Sequence, residues 1–366
     1  MDFQLPADTL MLRDMLRRFV EKDARPLEMK YFNTGSLEPE ERARLRSAIE
    51  QMGLWGATVP EKFGGGGLDT VTACVIEEEL GSTFVPIELG EIPPLLFECT
   101  GAQVTRYLEP ALTGKRRPVL AAREPKALRP GEWKTRATPE GDGYVLEGEK
   151  SLALMPGPDS FFVVLATAPA GLTAFLVERD QSGLNVTNNR QVLLALRGCQ
   201  VSQASVLGQP GHALASASEE ASRAWIRLGA RYVGMVERLR AMAAEHARDW
   251  VSLGGPLAVR PAVQRMLAEL SVEVESARWL VYHAAWLADR GEPVRMPAAQ
   301  VRMATGEMVQ RSIDRVTMIF GGPGPSPEIL PQRMVRAVVP PEALELALEY
   351  ARGAVAAEVL AVPRER

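Results

Sequence analysis

The sequence predicts a mostly α protein with a central β domain. Residues 1–115 read as an N-terminal helical domain, 116–212 as a middle β barrel or sandwich, and 213–366 as a C-terminal four-helix bundle. Three observations carry this reading. Apolar residues recur at helical spacing near the N-terminus. The middle of the chain holds short apolar or alternating runs cut by turn residues. Four long amphipathic stretches then follow one another after residue 213.

The elements follow in order. TLMLRDMLRRFVEKDARP puts Leu10, Met11, Met15, Leu16 and Phe19 on one stripe of a first helix. PEERARLRSAIEQMG repeats the pattern and stops at Gly53, a natural C-cap. TVTACVIEEELGS ends at Gly81, and GAQVTRYLEPALTG at Gly114. In the middle, GYVLEGEKSLAL, FFVVLATA and LTAFLVERD are strands, separated by the turn sequences GDG, MPGPD, APAG and DQSG. The bundle stretches begin near SASEEASRAW, RPAVQRML, MPAAQVRM and PPEALELA, the last with Pro340 and Pro341 at its first turn.

Composition bounds the function. The chain has 366 residues, 46% of them apolar and 24% charged, as in soluble globular proteins of two or three packed units. A net charge of −4 gives no reason to expect nucleic acid or an anionic membrane as partner. No apolar run approaches the ~20 residues that span a bilayer. The acidic, amphipathic start MDFQLPADTLMLRDML lacks the basic head and apolar core of a signal peptide, so a cytoplasmic location is expected. Cys74, Cys99 and Cys199 are scattered, and no Cys/His cluster suggests a metal site. His212, His246 and His283 are isolated from one another. No nucleophile elbow, P-loop or dinucleotide fingerprint occurs.

The order of regions, with several local stretches, resembles the acyl-CoA dehydrogenase family. GLWGATVPEKFGGGGLD (Gly53 to Asp69), EEELGSTFVP, EGDGYVLEGEK, GGPLAVRPAVQRMLAEL and FGGPG before RMVR each look like a family segment, and together they cover nearly the whole chain. The resemblance implies FAD, with its isoalloxazine ring between β domain and bundle and its adenine end reaching a neighbouring subunit. It implies a homodimer, homotetramer or heteromer, with an electron-transferring flavoprotein as a further partner. The implied substrate is an acyl-CoA thioester. A carboxylate takes the α-proton and flavin N5 takes the β-hydride. An apolar pocket would strengthen hydrogen bonds to the thioester carbonyl and raise the carboxylate's pKa.

The resemblance also nominates residues. Glu345 lies 24 residues beyond Gly321 (345 − 321), at the family's usual spacing for the catalytic base. Leu346 and Ala347 stand where the family has Gly and Thr. Glu342, Glu345 and Glu349 also share one helix face, the pattern of a solvated surface. An alternative base position on the first bundle helix holds Trp225 and Ile226, neither an acid. For the flavin, Ala122 and Arg123 fall on the stretch before Glu124–Pro125, with Arg123 in place of a hydroxyl. Leu152 and Leu154 stand for a Trp-x-Thr, and leucine cannot donate a hydrogen bond to N5. Trp250 occupies the position of the neighbouring-subunit arginine, with Arg248 two residues away. Gln264, Gly321 and Gly322 persist, and Met318 replaces a glutamine.

Three functions follow. The chain is an FAD-dependent acyl-CoA dehydrogenase using Glu345; or it is a partner subunit of a heteromeric dehydrogenase without chemistry of its own; or it runs another flavin reaction on the same fold, such as oxygenation of an amino sugar. The loop near Glu91–Pro94 and the packing of the bundle helices set pocket depth, which leaves the acyl chain open.

Overall fold

The computed structural model describes residues 4–125, 127, 132–152, 155–189, 191–252, 254–326, 328–338 and 341–360; at 189, 191, 215–217, 220, 337–338 and 341–347 it describes the backbone alone. In chain order come helices α1 (Ala7–Phe19), α2 (Glu28–Thr34), α3 (Pro39–Gln51), α4 (Thr70–Gly81) and the short α5 (Glu109–Leu112). Strands β1 (Arg117–Ala121), β2 (Arg136–Glu140), β3 (Gly143–Leu152), β4 (Ser160–Ala168), β5 (Gly171–Glu178), β6 (Leu184–Asn189), β7 (Gln191–Ser202) and β8 (Val206–Leu207) follow. The bundle helices are α6 (Ala213–Asp249), α7 (Pro261–Asp289), α8 (Arg295–Phe320), the short α9 (Leu330–Val338) and α10 (Pro341–Val359); a small hairpin, β9 (Val251–Ser252) and β10 (Gly255–Pro256), joins α6 to α7. The helix expected over GAQVTRYLEPALTG forms as a π-turn, Val104–Leu108, running into α5.

The chain divides into two compact units. Over the described residues, one comprises 4–54, Pro60–Leu89 and 222–360, and the other comprises Trp55–Val59 and Gly90–Ala221.

The first unit joins the N-terminal helices to the bundle. Val233, Val236 and Leu239 of α6, Leu270, Val274 and Val281 of α7, Val301, Val309 and Val316 of α8, and Leu348 of α10 share one apolar core. Helix α4 is seated in this unit by both ends and its middle. Asp69 caps it by accepting from the Thr72 N–H (2.7 Å), and the Asp289 carboxylate, at the end of α7, accepts from the Thr70 (2.6 Å) and Val71 (3.0 Å) N–H groups. Its successive acids Glu77, Glu78 and Glu79 pair with Arg231 of α6, Arg278 of α7 and Arg17 of α1 at 2.7, 2.9 and 2.7 Å. Two glycines let α4 and α6 touch. A Cβ on Gly234 would sit 1.8 Å from the Glu78 carbonyl oxygen, and one on Gly81 would sit 2.1 Å from that of Arg231. Glu28 of α2, itself buried, takes a forked bond from Arg238 and one from the Thr83 hydroxyl (2.8 Å).

The second unit is built on an eight-stranded mixed sheet in the order β6-β7-β3-β2-β4-β5-β8, with β1 lying parallel to β4. The β3–β7 and β4–β5 pairs are antiparallel ladders. Leu146, Phe162, Val164, Phe175, Val177, Leu194 and Leu196 form its core. The β3 ladder shifts register between Leu146 and Gly148; a Cβ on Gly148 (φ 148°) would meet the Thr135 Cα at 2.7 Å, so only glycine fits that close approach.

Candidate active site

In the β unit the nominated residues sit where β1 ends and beside the end of β3. Lys150 of β3 is 0% exposed, and its ammonium donates to the Ala122 carbonyl (3.1 Å) and to Glu124 Oε1 (3.0 Å). Glu124 also accepts from the Lys134 (2.6 Å) and Thr135 (2.9 Å) N–H groups. The Trp133 ring lies 4.8 Å from the Lys150 nitrogen. Burial would raise the Glu124 pKa, but the two amides and Lys150 outweigh it and hold the carboxyl below its ordinary value. Burial pulls the Lys150 ammonium down, against the opposing pull of Glu124. This cluster fixes the loop after β1: the Ser151 N–H donates to the Arg123 carbonyl (2.9 Å), the Arg123 side chain is exposed, and the Ala122 carbonyl is engaged by Lys150. Leu152 is buried in the sheet core. Leu154 lies outside the described residues.

In the helical unit, His246 of α6 is stacked between Phe320 of α8 (ring centroids 4.2 Å apart) and Trp250 (5.5 Å). Burial lowers the His246 pKa, and Asp249 opposes it. Arg248 is exposed, as are Trp250 and Met318 (52% and 62%). Gly321 ends α8 at φ 65°, its N–H bonded back to Thr317 and Met318. Among the described residues beyond their chain neighbours, no atom lies within 4 Å of the position a Cβ would take on Gly321 or Gly322. The Gln264 amide donates to the Ala258 carbonyl (3.0 Å) in its own turn. The structure thus brings Trp250 and His246 up to the α8 stop. Among the described residues, Arg248 and Gln264 form no hydrogen bond with each other or with the glycine pair.

Glu345 falls in the first half of α10, and its side chain lies outside the described residues. Further along α10, Leu348 is buried, Tyr350 meets Trp225 edge-on (5.5 Å), and Arg352 bonds Glu307 of α8 (2.9 Å). Ile226 is wholly buried, so the first bundle helix presents no acid there.

Residue choice alone did not single out Lys150, Trp133 or Thr135. The available signal was the Gly-x-Lys of GYVLEGEK, whose Lys150 lies two residues before the end of β3 at Leu152. Among the described residues no group of His, Cys, Asp and Glu could hold a metal, and no helix is long and apolar enough to cross a membrane. The three cysteines are buried thiols, with burial pushing Cys99 up to about 12 and Cys199 up to about 11.

Within each unit, the described side chains at the positions nominated for FAD offer few of the donors that it needs. Holding a flavin needs a donor near N5 and cations or amides for the diphosphate. Leu152 offers no donor and faces the core, Lys150 is spent on Glu124 and Ala122, and the bundle end presents an exposed tryptophan and methionine. The remaining polar candidates, Arg123, Arg248 and Gln264, are surface groups.

Comparison with known proteins gives the wider frame. The acyl-CoA dehydrogenase N-terminal domain matches residues 6–115, and the acyl-CoA dehydrogenase C-terminal domain matches residues 214–360. The chain is 30% identical to (R)-benzylsuccinyl-CoA dehydrogenase of Thauera aromatica, over 98% of this chain and 97% of that one. It shares its fold with butyryl-CoA dehydrogenase of Megasphaera elsdenii (24% identity, TM-score 0.85, covering 98% of this chain and 100% of that one). The FAD complex of PigA has the same fold (21% identity, TM-score 0.86, covering 99% and 100%). With helices, sheet and bundle in this order and matches running from end to end, the chain belongs to the acyl-CoA dehydrogenase family, a family of flavoprotein oxidoreductases.

Proposed function

We propose that this chain binds an acyl-CoA thioester and takes part in its FAD-dependent α,β-dehydrogenation as one subunit of an oligomer, the side chains that hold the flavin coming from a second, related chain. The observation that carries this reading is a whole-length family fold in which the described side chains at the positions nominated for the flavin lack the donor set, Leu152 and the spent Lys150 above all. When bound, the flavin supplies the hydride acceptor, and electrons pass on to an electron-transferring flavoprotein. The similarity to a benzylsuccinyl-CoA dehydrogenase makes succinyl-type thioesters the first substrates to try.

A second reading is a self-sufficient dehydrogenase with Glu345 as its base. Its support is the 24-residue spacing from Gly321 (345 − 321) and the FAD complex seen on the same fold. In that reading Ala122, Arg123, Leu154, Arg248, Gln264, Gly321 and Gly322 contact the flavin mainly through backbone and surface groups.

The visible spectrum of the purified chain, alone and with added FAD, tests the choice. The proposal expects a colourless protein that gains a flavin band only when a related chain co-purifies. A near-stoichiometric flavin band from the chain alone would overturn it in favour of the second reading. Glu345→Gln should then abolish turnover while leaving the flavin bound.

A further inference from the structure

Helix α8 buries Ala298, Ala299, Arg302, Thr305, Gly306 and Val309 along one stripe. Five of these are small or apolar, and the sixth is an arginine. Arg302 is only 4% exposed, and its Nε and Nη1 are buried without a hydrogen-bond partner among the described residues. Its guanidinium lies 5.4 Å from the ring of Tyr232 on α6, itself 3% exposed. The neighbouring hydroxyl of Thr305 is spent on its own helix, where it donates to the Val301 carbonyl (2.7 Å). Among the described residues no carboxylate stands within ion-pair distance of Arg302.

Tertiary structure rarely keeps such a group. A permanently charged side chain taken out of water and left without an anion is among the most unfavourable arrangements in a core, and an aromatic face recovers only a fraction of the lost hydration. A methionine or leucine would fill this stripe position without that penalty. One turn to either side the stripe is small, at Ala298, Ala299, Thr305 and Gly306, so the guanidinium is not crowded by large neighbours on its own helix.

We propose that Arg302 anchors an anion subsite inside the bundle, which takes the carboxylate of an acyl group bearing a second acid function. This deepens the reading that the chain binds an acyl-CoA thioester, and rests on it. The enclosure selects the anion. The phosphates of CoA are large and strongly hydrated, whereas a carboxylate at the end of an acyl chain is small, planar and already carried on apolar carbon. The thioester class is therefore that of dicarboxylic acids linked to CoA through one end.

The test is calorimetric titration of the full-length protein, in whatever assembly it purifies, with glutaryl-CoA and with valeryl-CoA, which has the same chain length but no second carboxylate. The expected result is at least about tenfold tighter binding of glutaryl-CoA, equivalent to about 1.4 kcal/mol. Arg302→Met should remove that preference while valeryl-CoA still binds, and Arg302→Lys should keep part of it. Thermal melting adds a readout that does not depend on ligand: Arg302→Met should leave the unliganded protein as stable as before or more so. Equal binding of the two thioesters by the unaltered protein would overturn the subsite. So would a preference that survives in Arg302→Met, or an unliganded Arg302→Met protein that melts well below the parent, since Arg302 would then have a structural partner. If neither thioester binds, it is the acyl-CoA reading itself that fails.

Discussion

At the residue scale the most consequential side chain is Lys150, because one ammonium ties β1, the loop after it and β3 together through Ala122 and Glu124. Removing one member of a buried pair strands the other, so Lys150→Met should cost about 3–5 kcal/mol of stability in urea unfolding. The same pair sets an acid limit. Glu124 and Glu178 both have folded pKa values below their ordinary ones; in each case burial works against the shift and is outweighed, for Glu178 chiefly by the bond from Arg116. A carboxyl whose folded pKa is depressed contributes stability above its unfolded value of about 4.3 and loses it as pH falls through the folded value. The part of the melting temperature that these two carboxyls supply should therefore hold from pH 6 to about 4.5 and fall below that, with a shallower fall in Glu124→Gln. The sequence made Glu124 and Lys150 legible as letters of familiar motifs. It did not reveal that they are one structure, because their meeting depends on strands that lie 26 residues apart in the chain. Arg302 was harder still: a single arginine on a helical stretch is ordinarily a wet one, and only its burial marks it out.

At the element scale the contact of α4 with α6 depends on two absent side chains. Gly234→Ala must push the helices apart at Glu78, and overpacking of this kind costs about 1–3 kcal/mol. The matching change at exposed Gly353 of α10, whose Cβ would meet nothing within 4 Å, should cost nothing and stabilise slightly; comparing the two melting curves checks the pair. The stack of Trp250, His246 and Phe320 gives the end of α6 a pH response of its own. Burial lowers the His246 pKa, so below about 6.5 the unfolded chain takes up a proton that the folded chain resists. Stability should decline as pH falls from about 6.5 through the folded pKa, and His246→Phe should remove that component; the proton resonance of the imidazole reports the pKa directly. These helices were legible from their 3.6-residue period and their glycine stops, as at Gly53, Gly81 and Gly321. The departures came where the pattern was local: Val104–Leu108 widens into a π-turn ahead of Pro110, whose missing N–H cannot serve a regular helix there. Glu345 was legible in spacing and in its helix, while its side chain stays outside the described residues.

At the scale of the whole molecule, two compact units with separate cores should unfold in two calorimetric steps. Lys150→Met should lower one of them, and Arg238→Met, which strands buried Glu28, should lower the other; a single transition moved equally by both changes would refute the independence of the cores. Texture divides the sequence into three, since periodicity reports only how a segment presents itself to its neighbours. It does not report which neighbours those are. The run Glu77–Glu78–Glu79 supplies two of the links between α4 and the bundle and one to α1, and it has a geometric consequence. Successive residues on an α-helix point about 100° apart, so three adjacent acids can be answered only by cations standing on three sides. Arg231, Arg278 and Arg17 come from three different helices and do so. A rod gripped from three directions at one level has neither freedom to roll about its axis nor a neighbouring notch to slide into. A shift by a single residue would face every arginine with the wrong side of the rod. Helix α4 therefore meets its three neighbours as a key meets a lock with one seating depth and one angle.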